Sequence, residues 1–267
     1  MIKERLDQIL FSRGLADSRE KAKAMIMAGE VVINNLVKDK PGEKYPLDIE
    51  LTIKSSSMKY VSRGGFKLEK ALEYFSLNLI DKICMDVGAS TGGFTDCMLQ
   101  NGAKKVFSID VGYGQLDWKL RNDNRVINME KTNARLLDKS KIPDEIDFIS
   151  IDVAFISLEL ILPPLVNILS NSGKIVALIK PQFEAGREHI GKHGVVRDPQ
   201  IHKNVINKVI DFTRKIDLSP ISLTFSPIKG PKGNIEYLLL IDKSKVNNDI
   251  NTEEIVNNAH TELKNEV

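Results

Sequence analysis

Lys67, Asp152, Lys180 and Glu236 are the residues whose types and positions most invite a chemical reading. Asp152 sits at the end of the apolar run 148–153, and Lys180 ends another, Val176-Ala177-Leu178-Ile179-Lys180-Pro181. Glu236 falls inside a third run, between Ile235 and Tyr237, and Lys67 follows the turn Arg63-Gly64-Gly65. An ionisable group within or at the end of a buried strand is costly unless partnered. If these runs are parallel strands, ligands bind beyond their carboxyl ends, and Asp152 and Lys180 flank that place. The plainer alternative, a lysine that ends a strand and snorkels to water, fits poorly with a Lys-Pro behind buried aliphatics.

A second group could hold a cofactor. In CMDVGASTGGFTD, Asp86 ends a strand, Gly88 and Ser90 follow, and Gly92-Gly93-Phe94 opens a helix. Such glycines let backbone approach a ligand, and a helix amino terminus favours negative groups. Ser90 fills the second glycine position of Gly-x-Gly-x-x-Gly, so a dinucleotide pyrophosphate would be crowded. No Lys-Ser/Thr follows, which excludes a P-loop. The pattern suits a zwitterionic amino-acid end, with backbone amides for the carboxylate and Asp86 for the ammonium; S-adenosylmethionine offers that end. Asp110 ends the next strand, at the distance of a ribose-binding carboxylate, and Asn133 follows the third, near an adenine. Alone, either acid could be a cap or a surface residue; bracketing one glycine turn, they read as a site.

The frame for these side chains is a strand–helix alternation from about residue 82. Ile83–Val87 and the runs 106–111, 126–129, 148–153 and 175–179 read as strands, with helix-like stretches 94–100 and 158–169 between them. That alternation predicts an α/β fold, a parallel sheet covered on both faces. Asp198-Pro199 caps a helix over 200–215. Runs 223–225 and 235–241 are joined by a loop too short for a parallel crossover, so the last strand is antiparallel. That arrangement is typical of class I, Rossmann-like methyltransferases. The tail from Lys243 is polar until Asn251, which caps a short helix with Ile255, Val256, Ala259 and Leu263 on its apolar side.

Ahead of the sheet lies a small α+β module. Leu6, Ile9 and Leu10 repeat at helical spacing before Gly14; a second helix, capped by Asp17 or Ser18 with Glu20 in a capping box, runs to Gly29. A strand 31–33, a turn at Asn34-Asn35 and a strand 48–53 follow. The string RLDQILFSRGLADSREKAKAMIMAGEVVINN resembles an S4 domain, an RNA-binding module. The resemblance makes Arg13, Arg19 and Lys23 the RNA-facing candidates; a solvated face is the bland alternative. Ser55-Ser56-Ser57 read as a short linker. The expected division is 1–54 S4 domain, 55–59 linker, 60–242 methyltransferase domain and 243–267 polar tail with a short helix.

YVSRGGFKLEKAL, DVGASTGGFTDC, DVGYGQLDWKLRND, DVAFISL, IKPQFEAGR, GVVRDP and KGNIEYLL together resemble the TlyA family, S4-bearing, FtsJ-like rRNA 2'-O-methyltransferases also labelled haemolysin A. The resemblance runs from Arg5 to about Ile241. It implies that Lys67, Asp152, Lys180 and Glu236 form the family's Lys-Asp-Lys-Glu tetrad, that the methyl donor is S-adenosylmethionine, and that the substrate is a cytidine ribose in 16S rRNA, 23S rRNA or both. Lys180 is then the candidate base for the 2'-hydroxyl, or a protonated group that steers it. Arg63 with Lys67, Arg187 with Lys192 and Arg197, and Lys229 with Lys232 lie in or near glycine-rich loops and would rim one cleft for RNA backbone. His189 and His193 share that loop without a partner acid at ligand spacing, so no metal site is expected. Trp118 reads as core.

Composition bounds these readings. The chain has 267 residues, 38 basic against 36 acidic side chains, and a formal charge of +2. That balance argues against nucleic acid only if charge is uniformly spread. Two cysteines, Cys84 and Cys97, are too few for a disulfide framework or a cysteine-built zinc site, and both read as buried thiols. MIKERLDQIL lacks a signal-peptide pattern, and no run reaches the roughly 18 apolar residues of a membrane span, so a cytoplasmic protein with no membrane partner is expected. No obligate protein partner is inferred. Competing readings are a membrane-active haemolysin, a catalytically silent RNA-binding assembly factor, and an NAD dehydrogenase; Ser90 and the closing hairpin oppose the last.

Overall fold

The strands of the large sheet are apolar on both sides because helices cover both faces. In the computed structural model, which describes residues 3–16, 18–27, 29–34, 36–53, 59–246 and 248–265, contacts divide the chain into units 1–58 and 59–267. Lys59, expected in the linker, clusters with the larger unit. The linker serines, Asp17 and Asn35 lie outside the described residues.

The larger unit opens with α3 (Gly64–Tyr74), followed by β6 (Ile83–Val87), α4 (Gly93–Gln100), β7 (Lys105–Ile109), α5 (Trp118–Arg121), β8 (Val126–Met129), β9 (Ile146–Ile151), α6 (Leu158–Val166), β10 (Leu169–Ile179), α7 (Pro181–Glu184), α8 (Pro199–Lys215), β11 (Ser219–Phe225), β12 (Tyr237–Asp242) and α9 (Thr252–Glu262). The preceding labels belong to the small unit, described below. The strand order is β11-β12-β10-β9-β6-β7-β8. β10, β9, β6, β7 and β8 run parallel, whereas β12 is antiparallel to both β10 and β11. Side chains alternate between two cores, as strand pleating requires. Met85, Val87, Ile149, Ile151, Ala177 and Leu239 face the layer of α6, α8 and α9. Cys84, Val106, Phe148, Val176 and Leu238 face the layer of α3 and α4. Both cysteines are free and buried.

Local chemistry sets the helix ends. The Asp198 carboxylate accepts from the Gln200 amide at 2.8 Å, and Pro199 needs no donor in the first turn. Asn251 caps α9 through the Glu254 amide, and Val256, Ala259 and Leu263 bury that helix against the main core. α6 ends at Val166, short of the expected 169, because β10 already begins at Leu169 and carries a register shift before Lys174.

The small unit contains β1 (Lys3–Arg5), α1 (Leu6–Ser12), α2 (Arg19–Met27), β2 (Val31–Ile33), β3 (Leu36–Lys38), β4 (Lys44–Pro46) and β5 (Thr52–Ile53). Its core is Leu6, Leu10, Ala22, Ile26, Val31 and Ile33. The sequence reading lacked the strand Leu36–Lys38, which pairs with β2, and differs from the structure in two further places. The charged segment Lys3–Arg5 is a strand paired with Lys44–Pro46, and the closing strand spans only Thr52–Ile53, paired with β2. Ser18 accepts from the Lys21 amide at 3.1 Å and so caps α2. Gly29 takes φ +73° after the last turn, a conformation that disfavours a side chain.

Candidate active site

Reversal of β12 brings Glu236 to the site. Lys180 and Asp152 directly follow β10 and β9, at the carboxyl edge of the parallel strands. Because β12 is antiparallel, its start lies at that same edge, and the register sets Ile179 opposite Tyr237. Glu236 thus directly precedes the strand rather than lying within it, as the apolar run suggested; its carbonyl accepts the Ser226 amide at 2.9 Å. Lys67 comes from the buried side of α3 and crosses the interval, 169 residues away in sequence.

The four side chains form an alternating ionic chain. Lys67 Nζ stands 2.6 Å from Glu236 Oε2 and 3.8 Å from Asp152 Oδ2. Lys180 Nζ stands 2.5 Å from Asp152 Oδ1. Side-chain exposure falls from 19% at Asp152 and 12% at Lys180 to 9% at Lys67 and 2% at Glu236, so the buried end is Lys67–Glu236 and the accessible end Asp152–Lys180. Two cations and two anions in direct contact keep burial of these charges tolerable. The accessible end can present a charge-assisted donor and acceptor to a hydroxyl.

The glycine turn connects β6 to α4, but its parts do other work than the sequence suggested. Asp86 is fully buried and accepts from the Thr95 amide at 2.9 Å, Thr95 Oγ1 at 2.8 Å and Ser150 Oγ at 3.2 Å. Its oxygens brace the first turn of α4 from below rather than reaching an ammonium. Burial pushes its carboxyl up to about 7, against the pull of these hydrogen bonds. Gly88 has φ +89°, and a Cβ there would lie 2.4 Å from the Asp152 carbonyl oxygen. Gly92 has φ +96°, and its Cβ would meet Leu120 at 2.2 Å. At Gly93 the obstacle is Ser62 Oγ at 2.3 Å. These glycines therefore allow protein to pack on protein. Phe94 is 4% exposed within the α3–α4 core.

Asp110, Ser90 and Asn133 remain at the carboxyl edge. Asp110 accepts the Ser90 amide at 2.8 Å and the Gly112 amide at 2.7 Å, which ties two loops together. Asn133 accepts the Arg135 amide at 3.1 Å and caps a short 3-10 turn. The donor set fits S-adenosylmethionine: the α4 amino terminus for an amino-acid carboxylate, and the half-buried Asp110 carboxylate for a ribose diol. That fit rests on Asp110 and backbone amides, with Asp86 behind them.

Beside the ionic chain lies a cavity of about 420 Å³ that the sequence reading did not foresee. Its lining includes Ala154, Phe155, Lys180, Gln182, Phe183 and Glu236, together with Ile190, Pro231, Lys232 and Asn234. Phe155 is 89% exposed at φ +63°, and its ring centroid is 5.0 Å from that of Phe183. An unburied phenylalanine in a strained conformation at a strand's end is the signal, and it exists only in the folded chain. Asn234 knits the rim, accepting the Val196 amide and donating to the Gly194 carbonyl, both at 3.0 Å.

The candidate RNA contacts are dispersed differently from the expectation. Lys232 lines the cavity, while Arg63, Arg187 and Arg197 are exposed, Arg63 directly before α3 and the other two in the loop after α7. In the small unit, Arg13 donates to the Ile49 carbonyl at 2.8 Å and also to that of Leu47. Arg19 lies 3.4 Å from buried Asp7, whose carboxyl the Arg5 hydrogen bonds hold below the usual range. Both arginines are therefore structural ties as well as exposed cations. Lys23 stands 4.0 Å from exposed Glu20. Trp118 is 73% exposed, contrary to the core reading, because α5 is one turn long and buries Leu120 instead.

Comparison with known proteins agrees with this architecture. Residues 60–243 match the model of the FtsJ-like methyltransferase family, and residues 4–47 match that of the S4 domain. The protein YqxC of Bacillus subtilis (strain 168) is 51% identical over 98% of this chain and 96% of its own length. The 16S/23S rRNA (cytidine-2'-O)-methyltransferase TlyA of Mycobacterium tuberculosis (strain ATCC 25618 / H37Rv) is 44% identical over 88% of each chain. The solved structure of a protein described as a hemolysin from Streptococcus thermophilus superposes with a TM-score of 0.78 at 49% identity, covering 100% of this chain and 98% of the other. The matches span both units, and the chain belongs to the FtsJ-like methyltransferase family, in the TlyA group that carries an S4 domain.

Proposed function

We propose that the protein transfers a methyl group from S-adenosylmethionine to the ribose 2'-hydroxyl of a cytidine in ribosomal RNA, in 16S rRNA, 23S rRNA or both. The observation that carries this reading is the Glu236–Lys67–Asp152–Lys180 chain at the sheet edge. The names of the TlyA relatives supply the substrate class.

S-adenosylmethionine supplies, when bound, a methyl on a sulfonium that leaves as a neutral thioether. In the transfer the O–C bond would form as the C–S bond breaks, sulfur would keep the electron pair, and the hydroxyl proton would pass to the Asp152 carboxylate at the accessible end of the ionic chain and on to water. The tasks left to this chain are to align the hydroxyl and manage that proton. Lys180 already donates to Asp152, so its nitrogen meets the 2'-oxygen as a donor that aims a lone pair at the methyl. Alignment supplies most of the acceleration. Lys67 and Glu236, at the buried end, fix Asp152 and through it Lys180. The cytosine ring enters the cavity between Phe155 and Lys232, where aromatic faces give it a stacking surface.

The test is tritiated-methyl transfer to purified 30S and 50S subunits by the full-length protein and Lys180→Ala. We expect transfer to fall by roughly a thousandfold or more with the affinity for S-adenosylmethionine changed less than about threefold. Undiminished turnover by the variant overturns the assignment. Mapping 2'-O-methylcytidines in rRNA from cells with and without the gene identifies the subunit.

A further inference from the structure

We infer that Glu184 is a positioning residue for methyl transfer, holding the aromatic wall of Phe155 and Phe183 where the base of the target nucleotide stacks. The inference rests on the methyl-transfer reading above and concerns how that site keeps its shape. Glu184 is 8% exposed and ends the one-turn helix α7, whose residue Phe183 lines the cavity. Its carboxylate reaches the other loop of the site. Oε2 accepts from Ser157 Oγ and Oε1 from the Leu158 amide, both at 2.7 Å. Ser157 already supplies α6 with a cap through the Glu159 amide at 3.2 Å, and the distant carboxylate adds a tie between loops to that helix end. One side chain thus clamps the loop after β9, which carries Asp152 and Phe155, to the segment after β10, which carries Lys180 and Phe183.

The sheet holds only the roots of these two segments. Asp152 and Lys180 directly follow β9 and β10, which pair in parallel with Ile151 opposite Ala177. Phe155 and Phe183 each stand three residues farther out. Phe155 has φ +63° and is 89% exposed. A side chain so exposed has little packing with which to hold its own backbone, and a left-handed residue other than glycine persists only where its surroundings fix it. The Glu184 fork fixes the chain at Ser157 and Leu158, two and three residues after Phe155, and Glu184 itself directly follows Phe183. Both rings, 5.0 Å apart between centroids, therefore depend on the same carboxylate. Hydrogen bonds to an ionised acceptor are the stronger kind, as a tie against backbone strain requires. The wall reaches the reacting edge, since Lys180 Nζ lies 6.0 Å from the Phe183 ring centroid. Releasing the fork should loosen the wall while the sheet keeps Asp152 and Lys180 in place.

The experiment is a double-mutant cycle on methyl transfer to purified 30S and 50S subunits, using full-length wild type, Phe155→Ala, Glu184→Ala and the double variant. Phe155→Ala should lower kcat/KM for the subunit by about 5- to 100-fold. Glu184→Ala should lower it by roughly 3- to 50-fold, with affinity for S-adenosylmethionine within about threefold of wild type. Because Glu184 acts through the wall, the double variant should fall no more than about twofold below Phe155→Ala alone. Glu184→Gln keeps an acceptor for the Leu158 amide and offers a donor to Ser157 Oγ, and should stay within about threefold of wild type. Losses that multiply in the double variant overturn the inference, and a merely structural role gives that outcome, because a reduced folded fraction multiplies with any other loss. A Glu184→Ala enzyme of wild-type activity overturns it as well. Should Glu184→Ala fail to fold, Ser157→Ala takes its place in the cycle and is read by the same rule. Undiminished activity in Phe155→Ala also overturns the inference, since no wall then remains to be held. Wild type that transfers no methyl to either subunit overturns the underlying reading instead.

Discussion

Asp86 illustrates how one residue can be correctly located from sequence and still misjudged in role. Its place at a strand end before a glycine turn was legible; its burial under Thr95 and Ser150 was not, because both are ordinary polar residues and Ser150 lies 64 positions away. A carboxyl raised to about 7 in the folded protein, against about 4 unfolded, binds more protons folded than unfolded between those values. Stability should therefore fall as pH rises from 4 through 7. Asp86→Asn, which keeps the acceptor without the charge, should flatten that slope, by a total on the order of 1–4 kcal/mol in urea unfolding at pH 5 and pH 8. Phe155 was invisible to sequence for the opposite reason: an apolar residue after a strand reads as core, and only its 89% exposure marks it out. Phe155→Ala should leave thermal stability nearly unchanged and lower kcat/KM for RNA by about 5- to 100-fold, as loss of one stacked base predicts.

At the scale of elements, the alternation of strands and helices was readable because both faces of the sheet are covered, so its strands are continuously apolar. The antiparallel β12 was readable from loop length. Strand β1 was not, since Lys3–Arg5 carries charges and gains its pairing from residues forty positions on. The turn between β6 and α4 sits against the end of β9 so tightly that Gly88→Ala should push Asp152 out of the ionic chain. We expect it to cost about 1–3 kcal/mol in unfolding and more than tenfold in methyl transfer. α8 and β12 are joined by buried His202, which meets the Tyr237 hydroxyl at 2.7 Å and the Val196 carbonyl at 3.0 Å. Burial lowers its ring to about 4. A histidine depressed in the fold binds fewer protons folded than unfolded, so its contribution is present above pH 6.5 and lost on acidification toward 4. His202→Gln should remove that acid-side loss, measured by unfolding at pH 7 and pH 5.

At the scale of the whole molecule, each unit has its own buried cluster, Leu6 to Ile33 in one and the two faces of the sheet in the other. A chain beginning at Lys59 should therefore unfold cooperatively by circular dichroism and retain S-adenosylmethionine binding. Its affinity for ribosomal subunits should drop by at least tenfold. The net charge of +2 says little about that affinity, because it is a whole-chain sum, whereas Arg63, Arg187, Arg197 and Lys232 are exposed in or beside the loops near the site. Among the described residues no helix is long and apolar enough to cross a membrane.

The span of 169 residues between Lys67 and Glu236 has a bearing on when activity begins. Contacts so distant along a chain close late, after the intervening segments have collapsed. A chain emerging from a ribosome carries the small unit first, then the cofactor turn, Asp152 and Lys180, while Glu236 is still to come. Lys67 lacks its nearest counter-ion until β12 slides between β10 and β11. Synthesis and catalytic competence are thereby separated in time: the growing polypeptide can fold its RNA-binding module beside the particle that makes it, yet it becomes a methylating agent only as its final strand is delivered.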